Sequence, residues 1–349
     1  MGRLKRVDCS QPGISRRRRG RGFEYLDAGG RRVTSEEVLT RIRVLAIPPA
    51  WTDVWICPDA DGHLQATGID AAGRKQYLYH ARWRARREQQ KFDEMLDFAR
   101  TLPRLRRVIR RDLRSTELGK RQVLACALRL LDRGFFRIGS EDYAEQNDSY
   151  GLATILKSHV TIAATGVRFD YVSKSGQRRL QEIDDVPVRR IVATLKRRRG
   201  GGDELLAHKE EGRWVDLTSA DINEYVKEAT GGDFSAKDFR TWNGTMLAAV
   251  ALASEAGSNG SARPSKRAIT RAVKAVAGFL GNTPAVARSA YIDPRVFDRY
   301  LSGWTIAPAL SDGADSFGLE RESTRQVIEE AVVDLISQAG DSRHLEKLA

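Results

Sequence analysis

The chain has 349 residues, with 59 Lys and Arg against 46 Asp and Glu and a formal net charge of +13. That length supports about two domains, each with its own core, and the charge favours a polyanionic partner, nucleic acid first. Three scattered cysteines, Cys9, Cys57 and Cys126, make neither a disulfide framework nor a zinc site. Apolar runs such as Met246–Ala253 are too short to span a bilayer, and the arginine-rich start lacks the apolar stretch of a secretory signal. A reduced, cytoplasmic protein is the expectation.

Residues 1–22 carry eight basic side chains and one acid, which reads as a flexible basic arm. From Phe23 to about Tyr79, short apolar runs alternate with turn signals. Ser35–Leu45 has helical spacing, and 51–56 and 63–68 flank an Asp-Gly turn as a hairpin. Residues 23–90 therefore form a small β-rich module. His80–Thr101 reads as a long charged helix linking the domains. Leu118–Phe136, with Val123, Leu124, Ala127, Leu128 and Leu131 at helical spacing, reads as a core helix. Residues 159–183 alternate instead and predict a small antiparallel sheet with Lys174 at a hairpin tip. Helices are expected at 185–199, 218–230 (Thr218 and Asp221 forming a capping box), 236–254, 265–280 and 319–338. Residues 91–349 are thus a mostly helical domain with one embedded sheet, and the fold class is α+β.

One short stretch stands apart. Asn282 and Thr283 are good N-caps and Pro284 suits a first helical turn, Tyr291 follows, and Pro294 is expected to end what comes after it. A phenol just past a short rigid helix in a basic protein suits attack on a phosphodiester, and it equally suits a partly buried core tyrosine. Such an attack needs charge stabilisation for the non-bridging oxygens, a proton donor for the leaving oxygen, and alignment. No cluster of acids or histidines stands at metal-ligand spacing, and arginines can supply the charge instead. Arg137 follows Gly134-Phe-Phe at the end of the core helix, where it is either a site residue or a helix-end charge interacting with the dipole. Arg240 opens a helix on the same face as Lys237, as site residues or as a surface basic pair. Lys174 is a general acid if nearby cations lower its pKa, and otherwise a solvated tip residue.

Six blocks in order resemble type IB DNA topoisomerases of the compact poxvirus-type and bacterial branch: Arg43–Trp51, Gln65–Gly68, Gly73–His80, Phe136–Gly139, Lys237–Trp242 and Asn282–Tyr291. The resemblance implies a small module and a catalytic domain closing as a C-shaped clamp on double-stranded DNA. It makes Tyr291 the nucleophile that forms a 3′-phosphotyrosyl bond and expels a 5′-hydroxyl. Arg137 and Arg240 would hold the scissile phosphate, and Lys174 would protonate the leaving oxygen. Lys237 falls where the family has a basic residue near the phosphate, Tyr143 where it has a phosphate-contacting tyrosine, and Gln76, Tyr77 and Tyr79 where it meets the major groove. By alternation Tyr77 and Tyr79 share a strand face.

Two positions depart from the family pattern. Asn282 replaces the histidine of many relatives; an amide can donate a neutral hydrogen bond but cannot carry charge, so a supporting role is expected. Ser140 replaces the lysine of some. The implied activity is relaxation of both supercoil signs by strand cleavage, swivelling and religation, by a monomer at the nucleoid, without ATP, metal or other cofactor. Gly200-Gly-Gly202 lacks the Gly-Lys-Ser/Thr of a P-loop. Two rivals remain. A tyrosine recombinase would share the chemistry but usually carries His-x-x-Arg where this chain has Lys237-x-x-Arg240. A non-enzymatic basic DNA-binding protein would need only the charge.

Overall fold

A computed structural model of the chain describes residues 3–115, 118–141, 144, 148–258, 263–310 and 322–348. It divides into two compact units, one to Asp93 and one from Glu94.

The first unit is built on five antiparallel strands, β1 (Ile14–Arg19), β2 (Gly22–Leu26), β3 (Thr52–Ile56), β4 (Leu64–Ile69) and β5 (Lys75–Tyr79), in the order β2-β1-β3-β4-β5. Helix α1 (Glu36–Val44) begins at Ser35, whose side chain accepts from Val38 N; it buries Ile42 with Ile14, Val54, Ile56 and Ala66. The expected hairpin is β3–β4. The flexible arm expected over residues 1–22 is overturned in part, because Ile14–Arg19 is strand β1, paired with both β2 and β3. A run of four arginines looks like a solvated tail, yet a strand needs only alternate residues facing in. Ile14 is buried, and Arg16 donates to the carbonyls of Ile47 and Pro48 at 3.3 and 3.0 Å while its guanidinium lies 4.2 Å from the Phe23 ring.

Helix α2 (Ala81–Leu113) is longer than the expected 80–101 and contains Pro103. Leu102, Leu105, Ile109 and Leu113 are buried at three- and four-residue spacing. This continued stripe holds the helix together past a residue that removes one backbone donor and crowds the carbonyl four residues before it.

In the second unit, α3 (Lys120–Gly134) buries Val123 to Leu128 without a break. A helix apolar all round belongs at the centre of a core. So does the middle of α6 (Ala236–Ser258), where Thr241 to Val250 are buried. Around these two lie α4 (Val186–Arg197), α5 (Ser219–Thr230, with the Thr218–Asp221 capping box), α7 (Lys266–Leu280), α8 (Pro284–Ala290), α9 (Pro294–Leu301) and α10 (Glu322–Ser337). The embedded sheet is β6 (Val160–Ile162), β7 (Val167–Ser173) and β8 (Gln177–Ile183), and a hairpin, β9 (Ala207–Glu210) with β10 (Arg213–Asp216), follows α4.

A buried ion network ties α10 to the core. Arg106 on α2 donates twice to Asp132 on α3 at 2.9 Å and twice to Glu329 on α10 at 2.7 Å. Arg325 on α10 donates to Glu329, to the Asp132 carbonyl and to Asn243 Oδ1. Among the described residues no helix is long and apolar enough to cross a membrane.

Candidate active site

Arg137 is held by the way α3 ends. Phe135 adopts a left-handed conformation (φ 55°), which stops the helix. Phe136 then turns inward against Phe169, ring centroids 5.0 Å apart. Gly134 leaves the space that ring needs, since a Cβ there would collide with it. Gly139 (φ 81°) lies against Gly151, where a Cβ on Gly139 would stand only 2.9 Å from the Gly151 Cα, so only glycine fits. The Arg137 carbonyl accepts from Leu152 N at 2.8 Å and the Ile138 carbonyl from Ala153 N at 2.7 Å. With its backbone fixed on both sides, the Arg137 guanidinium donates to the Gly281 carbonyl at 2.6 Å, to Asn282 Oδ1 and to Ser173 Oγ at 3.3 Å.

Arg240 stands on the second turn of α6 and is 5% exposed, which leaves it no solvent to satisfy its donors. Its guanidinium donates to the carbonyls of Phe135 at 3.0 Å and Leu280 at 2.8 Å and lies 5.0 Å from the Tyr291 ring centroid. Burial lowers its pKa to about 10, with Tyr291 opposing and Arg137 adding to the shift. It stays protonated at neutral pH.

Asn282 and Tyr291 flank α8. Gly281 ends α7 in the left-handed region (φ 62°), and the Asn282 N–H closes back onto the Ala277 carbonyl at 2.9 Å. The cap of α8 is Thr283, whose side chain accepts from Val286 N, with Pro284 as the first helical residue. The Asn282 side chain therefore has no capping task. Its Oδ1 accepts from Arg137, which turns the amide NH2 the other way. Both Asn282 Nδ2 and Arg240 Nε are buried with no hydrogen-bond partner among the described residues.

Tyr291 is the half-buried C-cap of α8. Pro294 does not end the segment, contrary to expectation: it is the first residue of α9, with Asp293 as N-cap. Proline is suited to that position because its missing N–H has no intrahelical acceptor there. Helix α6 supports the turn between. Thr245 Oγ1 donates to the Tyr291 carbonyl at 3.3 Å and accepts from Asp293 N at 3.1 Å. A Cβ on Gly244 would sit 2.6 Å from that same carbonyl oxygen. Arg240 and Gly244 are one turn apart, so one helix face carries the guanidinium and seats the tyrosine.

Lys174 occupies the exposed tip between β7 and β8, in the turn Lys174–Gly176. It follows Ser173, whose hydroxyl accepts from Arg137. Lys237 is exposed in the first turn of α6, one turn before Arg240. Tyr143 lies outside the described residues, and Ser140 is exposed beside Gly139. In the first unit, Tyr77 and Tyr79 project from one face of β5, 46% and 40% exposed, with rings stacked at 6.2 Å. Gln76 lies on the opposite face, and its amide donates to Asp70 at 2.8 Å.

The structure thus gathers Arg137, Arg240, Asn282 and Tyr291, with Lys174 one residue from an Arg137 contact. Two supports, Gly244 and Thr245, escape sequence reading. A glycine within an apolar helix is the one hint, since it costs about 1 kcal/mol against alanine and needs a packing reason. The C-terminal carbonyls of α7 gather guanidinium charge in one place, where cations suit the negative end of the helix. Among the described residues, no group of three or more His, Cys, Asp or Glu is arranged to hold a metal ion.

Comparison with known proteins gives the family. The model of the eukaryotic DNA topoisomerase I catalytic core matches residues 80–301, and that of the bacterial DNA topoisomerase IB N-terminal domain matches residues 22–70. DNA topoisomerase 1B of Acanthamoeba polyphaga mimivirus is 32% identical over 288 residues, covering 80% of this chain and 85% of the viral one. DNA topoisomerase 1B of vaccinia virus (strain Copenhagen) is 22% identical over 268 residues, covering 75% and 81%. This basic α+β chain, matched over both units, belongs to the type IB DNA topoisomerases, in their compact branch, and is with them a DNA-acting isomerase.

Proposed function

We propose that Tyr291 cleaves one strand of duplex DNA through a 3′-phosphotyrosyl intermediate, lets the broken strand swivel, and reseals it. The observation that carries this reading is the pair of buried donors without a well-aligned acceptor, Arg240 Nε and Asn282 Nδ2, beside a tyrosine whose side chain interacts with Arg240. Buried donors normally find partners, so two left open in one place suit a ligand with several acceptor oxygens. A phosphodiester has them.

In this reading the phenol oxygen attacks phosphorus and gives up its proton to solvent, a P–O bond to tyrosine replaces the P–O bond to the 5′ carbon's oxygen, and Lys174 protonates that leaving oxygen. Arg137 and Arg240 stabilise the charge that grows on the non-bridging oxygens; their planar forks, fixed by backbone carbonyls, need no reorganisation during the step. Asn282 adds one neutral donor. Because one phosphodiester-like bond is exchanged for another, neither ATP nor metal is required, and supercoils of both signs relax. Lys237 contacts a flanking phosphate. The stacked Tyr77 and Tyr79 meet DNA from the first unit, and the enzyme works as a monomer. A tyrosine recombinase would share the chemistry, but the match of residues 22–70 to a bacterial topoisomerase IB domain favours relaxation.

The test is relaxation of positively and negatively supercoiled plasmid in EDTA without ATP, with the SDS-trapped covalent adduct mapped by peptide. Adduct on Tyr291 and loss of relaxation in Tyr291→Phe are expected. Full activity of that variant would overturn the reading.

A further inference from the structure

We propose that Arg179 is a positioning residue that ties the hairpin bearing Lys174 to the end of α7, and so sets where the proposed general acid stands. The inference rests on the strand-cleavage reading above. Arg179 lies on β8 opposite Tyr171, a short step from the Lys174–Gly176 turn. Its guanidinium interacts with Tyr171 across the hairpin and also reaches beyond it, donating to the carbonyls of Gly278 at 3.1 Å and Phe279 at 2.6 Å. The neighbouring arginines behave differently: Arg178 pairs with Asp170 at 2.6 Å and Arg168 with Glu182 at 3.5 Å, both within the hairpin.

Three guanidinium groups thus share the last carbonyls of one helix. Arg179 takes Gly278 and Phe279, Arg240 takes Leu280, and Arg137 takes Gly281. Gly281 makes room for this, because a Cβ there would lie 3.0 Å from Arg179 Nη1 and 3.2 Å from its Cδ. The next residue is Asn282. Arg179 therefore joins the hairpin to the same helix end that orients the two arginines and the amide. The 3.3 Å contact from Arg137 to Ser173 ties the other strand of the hairpin, just before the tip, to the same place. Proton transfer needs donor and acceptor within hydrogen-bond reach, so an exposed tip that delivers a proton depends on how firmly its strands are held. Two charge-assisted bonds to a rigid helix supply that anchorage.

The test is single-turnover cleavage by Arg179→Met, which keeps the stem and removes the donors, on ordinary DNA and on DNA with a 5′-bridging phosphorothiolate, whose sulfur leaves without protonation. On ordinary DNA a fall of about 10–100-fold is expected, the scale of a misplacement near 1 Å. On the phosphorothiolate the rate should approach wild type, and Arg179→Lys, which can still donate, should recover part of the loss on ordinary DNA. Arg179→Met added to Lys174→Ala should cost nothing beyond Lys174→Ala alone. Equal slowing on both substrates, or no slowing on either, overturns the proposal. If Lys174→Ala itself is not rescued by sulfur, the proton-donor reading fails first and Arg179 falls with it. If Lys174→Ala is rescued and Arg179→Met is not, only the positioning role is lost.

Discussion

Asn282 divides its amide between two tasks: the oxygen receives Arg137, and the nitrogen stays buried and unspent. In the proposed chemistry that nitrogen donates to a phosphate oxygen without adding charge, so the two arginines carry the electrostatic load. Asn282→Ala removes the donor and also one partner of Arg137. A loss of about 1–3 kcal/mol of transition-state stabilisation follows, roughly 5–150-fold in single-turnover cleavage. Loss as complete as that of Tyr291→Phe would contradict a supporting role. Arg240 marks the other extreme: it is almost wholly buried yet keeps its charge, because carbonyls rather than carboxylates satisfy it. A carboxylate partner would compete with phosphate; carbonyls orient the fork and leave its charge available.

Helix α6 links the Tyr291 turn and the Arg240 guanidinium along one face. Its Gly244 and Thr245 hold the turn from Tyr291 to Asp293, one helical turn beyond Arg240. Gly244→Ala should raise intrinsic helix propensity by about 1 kcal/mol yet displace the Tyr291 carbonyl, since the new methyl would lie 2.6 Å from it. Cleavage is expected to fall on the order of 100-fold with little change in melting temperature. Unchanged cleavage would show that the Tyr291 turn tolerates the shift. The short α8 and α9, each opened by a capped proline, make that turn stiff on both sides.

Across the whole second unit, the chain beyond the tyrosine returns to brace the site from behind. Arg325 and Glu329 on α10 meet Arg106 and Asp132, and Arg325 also reaches Asn243, three residues after Arg240. Burial pushes the Asp132 carboxyl up, but Arg106 and Arg325 outweigh burial and hold it below the usual carboxylate range. A depressed carboxyl pKa contributes stability above its unfolded value and loses it as pH falls toward the folded one. Asp132→Asn should therefore destabilise by about 3–5 kcal/mol at neutral pH, because it leaves buried guanidinium charge uncompensated. The gap to wild type should narrow below about pH 4, where the wild-type carboxyl begins to lose that advantage. Thermal melts of both proteins at pH 7 and pH 3 check the size and the direction.

Much of this molecule is legible in local signals. The capped proline that opens α8 before Tyr291, the alternation of residues 159–183 with Lys174 at the tip, and the apolar run of α3 ending before Arg137 all depend on neighbours within a few positions, where helix spacing, strand alternation and caps operate. The same locality explains the errors. Arg16–Arg19 reads as a solvated tail because the carbonyl acceptors of Arg16 come from residues 47–51, and Pro294 reads as a terminator because the helix it begins is hidden behind it. What tertiary structure alone decided is who receives each arginine. Arg137 meets Asn282 across 145 residues of chain, Arg240 meets Phe135 across 105, and Arg179 meets Phe279 across 100. No periodicity carries such information, because a guanidinium can use any carbonyl that folding leaves open, and only the packed end of α7 brings these carbonyls within reach of three arginines at once.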